Sequence, residues 1–140
     1  MNIRYQDNCQ NIPWKRIPAL LEDVGMSFTD TESHRISFEN SFSVLFVFDD
    51  DKLIGFGRLI SDGVRQSAIY DIAIDPKYQG HGIGRKIVEG LMNTTPTCNF
   101  ILYASPGKEA FYRKLGFKKM KTGMALFSTP ERMNDGIFVE

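Results

Sequence analysis

This sequence has little that would staple a small protein together. Its 140 residues include two cysteines, Cys9 and Cys98, far apart and outside any metal-spaced cluster. That excludes a disulfide framework and a thiolate-rich zinc site, and it fits reduced thiols in a cytosolic protein. Charge of one sign is missing too, since 17 basic and 17 acidic residues leave a formal net charge of +0. Without a net field, broad attraction to nucleic acid or a membrane surface is not expected. No apolar run reaches bilayer length. The first residues, with Asp7, Asn8 and Pro13, lack the apolar centre of a signal peptide.

What the chain does have is core material. Hydrophobic residues make up 42% of it, with eleven Phe, against 24% charged. A chain of this length buries a core without disulfides or metals. One domain is expected over residues 1–140, with a short polar tail over 128–140.

Periodicity sets out the elements. Ile3, Arg4 and Tyr5 begin a strand. Trp14, Ile17, Leu21 and Val24 share one helical face, and Gly25 follows as a stop. A second helix is expected over 31–40, with His34 at its surface. Residues 43–48 and 53–60 read as antiparallel strands turning at Asp49, Asp50 and Asp51. Three carboxylates at a hairpin tip read as solvated side chains rather than a metal site. A turn at Asp62 and Gly63 leads to a strand over 70–74, whose β-branched and aromatic residues stop at Pro76. Beyond Phe117, residues 119–120 and 124–127 predict a closing hairpin around Thr122 and Gly123.

Two motifs carry chemistry. The first is Gln79, Gly80, His81, Gly82, Ile83 and Gly84, between the 70–74 strand and a helix with Ile83, Ile87 and Leu91 on one face. Glycines let backbone N–H groups approach a ligand, and a helix N-terminus adds its positive end, so the element suits phosphate. A dinucleotide fingerprint would need glycine where Arg85 stands, and a Walker A loop would need Gly-Lys-Ser/Thr. The alternative is a strand–helix corner whose glycines serve packing alone. The second motif is Phe111, Tyr112, Lys114, Leu115, Gly116 and Phe117. Ser105 reads as the N-cap of that helix, Pro106 as its first residue and Gly116 as its left-handed stop. A strand-like run over 99–103 joins the two motifs.

Together the motifs resemble the GCN5-related N-acetyltransferase family: a Q/R-x-x-G-x-G/A loop followed by F/L-Y-x-K-L-G-F. The resemblance covers residues 43–127 well. It implies a mixed α/β (α+β) fold, a twisted sheet with helices on both faces in the order β-αα-βββ-α-β-α-ββ. It also implies acetyl-CoA as acetyl donor and direct attack of an amine on the thioester, with no metal. The backbone of Ile72, Ala73 and Ile74 would receive the pantetheine arm, and residues 79–84 with Arg85 the pyrophosphate. Lys86 reads equally as a solvated helix residue or a phosphate contact. Tyr112 would be the general acid and Asp71 the base. The alternatives are a core role for Tyr112 and, for Asp71, a helix N-terminal contact or an ion pair with an arginine such as Arg58; Asp62 and Tyr70 are weaker base candidates. The family often has asparagine where Ser105 stands, so pantetheine binding here rests in part on a serine. The acceptor, a small-molecule or protein amine, would be bounded by residues 26–32, where Phe28, Asp30 and Glu32 suit a cation, and by the closing hairpin near Thr122 to Met124. A cytoplasmic enzyme, with homodimerisation open, is the resulting expectation. A silent acyl-CoA sensor and a purely structural interaction module are the competing readings.

Overall fold

A computed structural model describes residues 1–139. The chain divides into two compact units, Met1–Leu102 and Tyr103–Glu140.

The first unit is a five-stranded sheet in the order β1-β2-β3-β4-β5. Its strands are β1 (Ile3–Gln6), β2 (Ser43–Asp49), β3 (Lys52–Ser61), β4 (Gln66–Ile74) and β5 (Asn99–Ile101). β1 to β4 pair antiparallel, and β5 joins β4 in parallel. Helices α1 (Arg16–Asp23) and α2 (Thr31–Glu39) cover one face, and α3 (Ile83–Met92) covers the other.

On the α1–α2 face, Ile17, Leu20, Leu21 and Phe38 pack with Phe46, Phe48, Phe56 and Ala73. Rings of Trp14, Phe38, Phe46 and Phe56 meet at 5.4 to 6.1 Å between centroids. On the α3 face, Ile83, Ile87, Val88 and Leu91 are buried. Here β3 uses glycine for close approach. A Cβ on Gly57 would lie 2.4 Å from Ile72 Cδ1 and 2.9 Å from Ile87 Cγ2.

Local signals explain several helix ends. α1 stops in a Schellman turn: Gly25 at φ +77° donates to Glu22, and Met26 donates to Leu21. α2 starts on Asp30, whose carboxylate accepts the Ser33 N–H.

The second unit contains α4 (Glu109–Lys114) and a short 3₁₀ turn, Pro130–Asn134. Three expectations need correction. Ser105 is not the N-cap of α4; that position belongs to Lys108, and Ser105 only accepts the Lys108 N–H in the preceding turn. Pro106 and Gly107 carry the chain past Ser105 in a turn of their own, with Gly107 at φ +88°.

The closing hairpin is also not formed, and no described residue after Ile101 is in a strand. Met124 is 97% exposed and Leu126 87%. A hairpin whose first arm has only Lys119 and Met120 has too little ladder to stand by itself. The third correction is His34, which is buried rather than on the surface.

Candidate functional site

β4 carries an irregularity that its sequence does not announce. Phe56 pairs with Ala73 and Arg58 with Tyr70, so Asp71 and Ile72 together face the single residue Gly57. This is a β-bulge, and Asp71 takes the left-handed conformation, φ +58°, that makes it. Asp and Asn tolerate that conformation better than β-branched residues do. From Asp71 onward the sides alternate as expected. Ala73 joins the α1–α2 core, while Ile72 and Ile74 approach the β3 glycines on the α3 face.

Beyond Ala68 the strand is also one-sided. β5 pairs only with Gln66, Ser67 and Ala68, ending at Ile101. No strand among the described residues pairs with the other edge of residues 69–74. β4 therefore stays paired with β3 to Ile74 but carries a kink and an open flank on its other side.

The glycine loop follows directly. Asp75 and the turn Pro76–Tyr78 lead to Gln79, whose amide donates to the Ile74 carbonyl at 3.1 Å. Gly80 and Gly82 sit at φ +87° and +78°, with nothing within 4 Å of an added Cβ. At these two positions glycine serves conformation and open approach rather than packing. Gly82 is the N-cap of α3 and brings no side-chain cap. The first-turn N–H groups, Ile83, Gly84 and Arg85 among them, have no intrahelical acceptor. These N–H groups and the positive end of α3 fit a pyrophosphate.

Flanking cations are partly committed. Arg85 lies 3.4 Å from Glu89, and the Lys86 ammonium sits 5.9 Å from the Tyr5 ring centroid. His81 is exposed.

On the α2 side of the bulge stands a polar cluster. Arg58 Nε donates to Asp71 Oδ2 at 2.7 Å. Its guanidinium lies 5.4 Å from the Tyr70 ring centroid and 5.9 Å from that of Phe38. The ion-pair alternative for Asp71 is thus realised, on one carboxylate oxygen.

His34 completes the cluster, and sequence reasoning missed it. Its Nε2 accepts the Thr29 N–H at 2.9 Å, tying α2 to the loop before it. Burial lowers its pKa, and the Arg58 charge adds to this, against Asp71 and Asp30 pulling the other way. The available signal was its position four residues before Phe38, on the inward face of α2.

In the same loop Phe28 is half exposed. Asp30 is spent on Ser33 and Thr29, and Glu32 on Arg35. Hydrogen bonds from these partners hold both carboxyls below their usual range. Arg35 thus neutralises Glu32, whereas Asp30, held by neutral donors, keeps its negative charge.

The second unit holds Tyr112. α4 ends in a second Schellman turn: Gly116 at φ +96° donates to Arg113, and Phe117 donates to Tyr112. The Tyr112 ring lies 4.9 Å from Phe111 and 5.8 Å from Phe117 between centroids. Burial pushes its phenol up to about 12. The proton therefore stays on the oxygen through the neutral range.

Among the described residues no group of His, Cys, Asp or Glu could hold a metal ion, and no helix is long and apolar enough to cross a membrane. Cys9 and Cys98 are both free.

Comparison with known proteins agrees with this geometry. A relative from Arabidopsis thaliana, GCN5-related N-acetyltransferase 2, chloroplastic, is 36% identical over 130 residues. The match covers 85% of this chain and 50% of the relative, so the chain spans half that protein's length. The uncharacterized N-acetyltransferase ycf52 of Pyropia yezoensis is 28% identical, over 86% of this chain and 73% of its own. Among solved structures, a probable acetyltransferase of unknown function from meticillin-resistant Staphylococcus aureus superposes with a TM-score of 0.77 at 27% identity. That match covers 89% of this chain and 99% of the other. Residues 19–125 match the acetyltransferase (GNAT) domain family, and the chain, with its bulged β4 running into a glycine loop at a helix N-terminus, belongs to that family.

Proposed function

We propose that this chain is an acetyl-CoA-dependent N-acetyltransferase that acetylates a primary amine by direct attack on the thioester. The observation that carries this reading is the end of β4: bulged at Asp71, unpaired on one flank beyond Ala68, and delivered into Gly80 and Gly82. A long amide-bearing arm ending in a pyrophosphate needs both features, an open strand edge and a cluster of N–H donors.

The roles follow from chemistry. Backbone N–H groups of residues 80–85 grip phosphate, and the backbone of Ile72, Ala73 and Ile74 aligns the arm and turns an N–H toward the carbonyl oxygen. A thiol leaves with a pKa near about 8.5, so a phenol that keeps its proton is a suitable donor to it. Tyr112 takes that role. A lysine-like amine, with pKa near about 10.4, costs about 4–5 kcal/mol to neutralise at pH 7. Asp71 receives the amine proton on Oδ1, directly or through water, while Arg58 steadies Oδ2. The acceptor is a small-molecule or protein amine, and Ser105 is a candidate contact for the arm.

The test is thiol release from acetyl-CoA against a panel of primary amines, with product masses recorded. Release that depends on one amine, with that amine gaining an acetyl group, supports the reading. Coenzyme binding without turnover on any small or protein amine would replace it with a sensor, and no binding would overturn it. Gly82→Ala, which strains a left-handed residue, is expected to weaken coenzyme binding about tenfold.

A further inference from the structure

The residues of the glycine loop make few bonds of their own, so its position must come from its ends. The C-terminal end is α3, held by four buried side chains. The N-terminal end is the three-residue turn Pro76–Tyr78, too short to hold itself.

That turn is clamped at both of its ends. At its start, Asp75 is 5% exposed. One of its carboxylate oxygens accepts the Lys77 N–H at 3.0 Å. The other meets Arg16 Nη2 at 2.8 Å and Lys52 Nζ at 3.5 Å. Arg16, the first residue of α1, also donates to the Leu53 carbonyl at 3.2 Å. The Asp75 N–H bonds Ile54 on β3 at 2.7 Å.

At the turn's far end, the Tyr78 hydroxyl donates to Asp49 Oδ2 at 2.6 Å. Asp49 in turn accepts the Asn2 N–H at 2.8 Å. The Lys52 ammonium, 5.8 Å from the Tyr78 ring centroid, links the two ends.

We infer that Asp75 and Tyr78 are positioning residues for the glycine loop: anchored on α1, β2 and β3, they set its approach to the coenzyme without touching it. This rests on the coenzyme-binding reading above. Burial raises the cost of the Asp75 charge, yet the Lys77 N–H, Lys52 and Arg16 outweigh it and hold the carboxyl below its usual range. The pair is therefore intact at neutral pH, and a carboxylate with two cations and an N–H is well satisfied.

The test uses ligand-free protein and coenzyme A together. Hydrogen exchange is measured at the amides of residues 80–84 in wild type, Tyr78→Phe and Asp75→Asn, and coenzyme A is titrated into each. Faster exchange in the loop is expected in both variants. Coenzyme A affinity should fall about fivefold in Tyr78→Phe and about tenfold in Asp75→Asn, with kcat at saturating acetyl-CoA unchanged. Should Asp75→Asn fail to fold, Tyr78→Phe decides the matter, because it removes one hydroxyl from a half-buried ring. Unchanged exchange, or faster exchange with unchanged affinity, would overturn the inference. Wild type that binds no coenzyme A would overturn the proposed function instead, and the exchange arm would still decide the clamp.

Discussion

Helix α1 in the first unit and helix α4 in the second end in the same hydrogen-bonded turn, yet only α1 carries fully buried side chains, while those of α4 are at most partly buried. Both stop on a left-handed glycine, Gly25 or Gly116, with the two carbonyl bonds of a Schellman motif. α1 sets Ile17, Leu20 and Leu21 at 0% exposure. No described residue after Cys98 is buried to that degree; the second unit holds instead aromatic groups such as Tyr103 with Phe127 and Phe138. Helix ends are written in four or five residues, whereas burial is decided by what the rest of the chain brings opposite. The proposed coenzyme loop thus stands on a packed core and the proposed acid on a lightly packed helix.

The sharpest way to break this contrast is truncation. Phe38→Ala removes a fully buried ring and should cost about 3–5 kcal/mol in denaturant unfolding. Phe127→Ala should cost about 1 kcal/mol or less. Equal costs would show that the two units share one level of packing.

Activity sharpens the contrast next. Tyr112→Phe should lower kcat about a hundredfold while coenzyme A affinity and the unfolding midpoint hold. If affinity collapses and turnover of the bound complex survives, the acid is elsewhere.

Gly25→Ala and Gly116→Ala form a matched pair, since each puts a Cβ on a left-handed residue with nothing within 4 Å. The local strain is about 1–2 kcal/mol in each. Gly25→Ala should move the global midpoint, and Gly116→Ala only hydrogen exchange within α4. A global shift from both would mean the units unfold together.

The smallest effects are in pH. His34 titrates below its ordinary 6.5 when folded. The unfolded chain therefore binds more protons below that value, and stability falls as pH drops from 6.5 through the lower folded value. His34→Gln should flatten this slope in denaturation measured between pH 8 and pH 5. Tyr112 behaves in the opposite sense: its contribution is complete below 10 and is lost as pH rises toward about 12. Phenolate absorbance, compared with Tyr112→Phe, reads it directly.

Sequence reasoning found what a few neighbouring residues decide. The glycine loop at Gly80 and Gly82, the stops at Gly25 and Gly116 and the Asp62–Gly63 turn were legible because a few adjacent residues mark each, while the left-handed φ of Gly80 and Gly82 came only with the structure. It overread residues 119–127, where alternation without enough ladder reads as a hairpin, and Ser105, where a good cap residue is bypassed by a turn. It could not see the bulge at Asp71. A bulge is a mismatch of count between two strands, visible only when β3 and β4 are laid side by side.

The sequence by itself determined the presence of the helices, the succession of the first five strands along the chain and the glycine loop, since periodicity and turn-forming residues are properties of adjacent residues. Tertiary structure alone decided that Asp71 would kink β4 and pair with Arg58. It also decided that His34 would face inward against Thr29, and that Asp75 and Tyr78 would hold the loop from strands far away in sequence. Those contacts join residues up to 59 positions apart, and such pairings exist only once the core has brought the elements together.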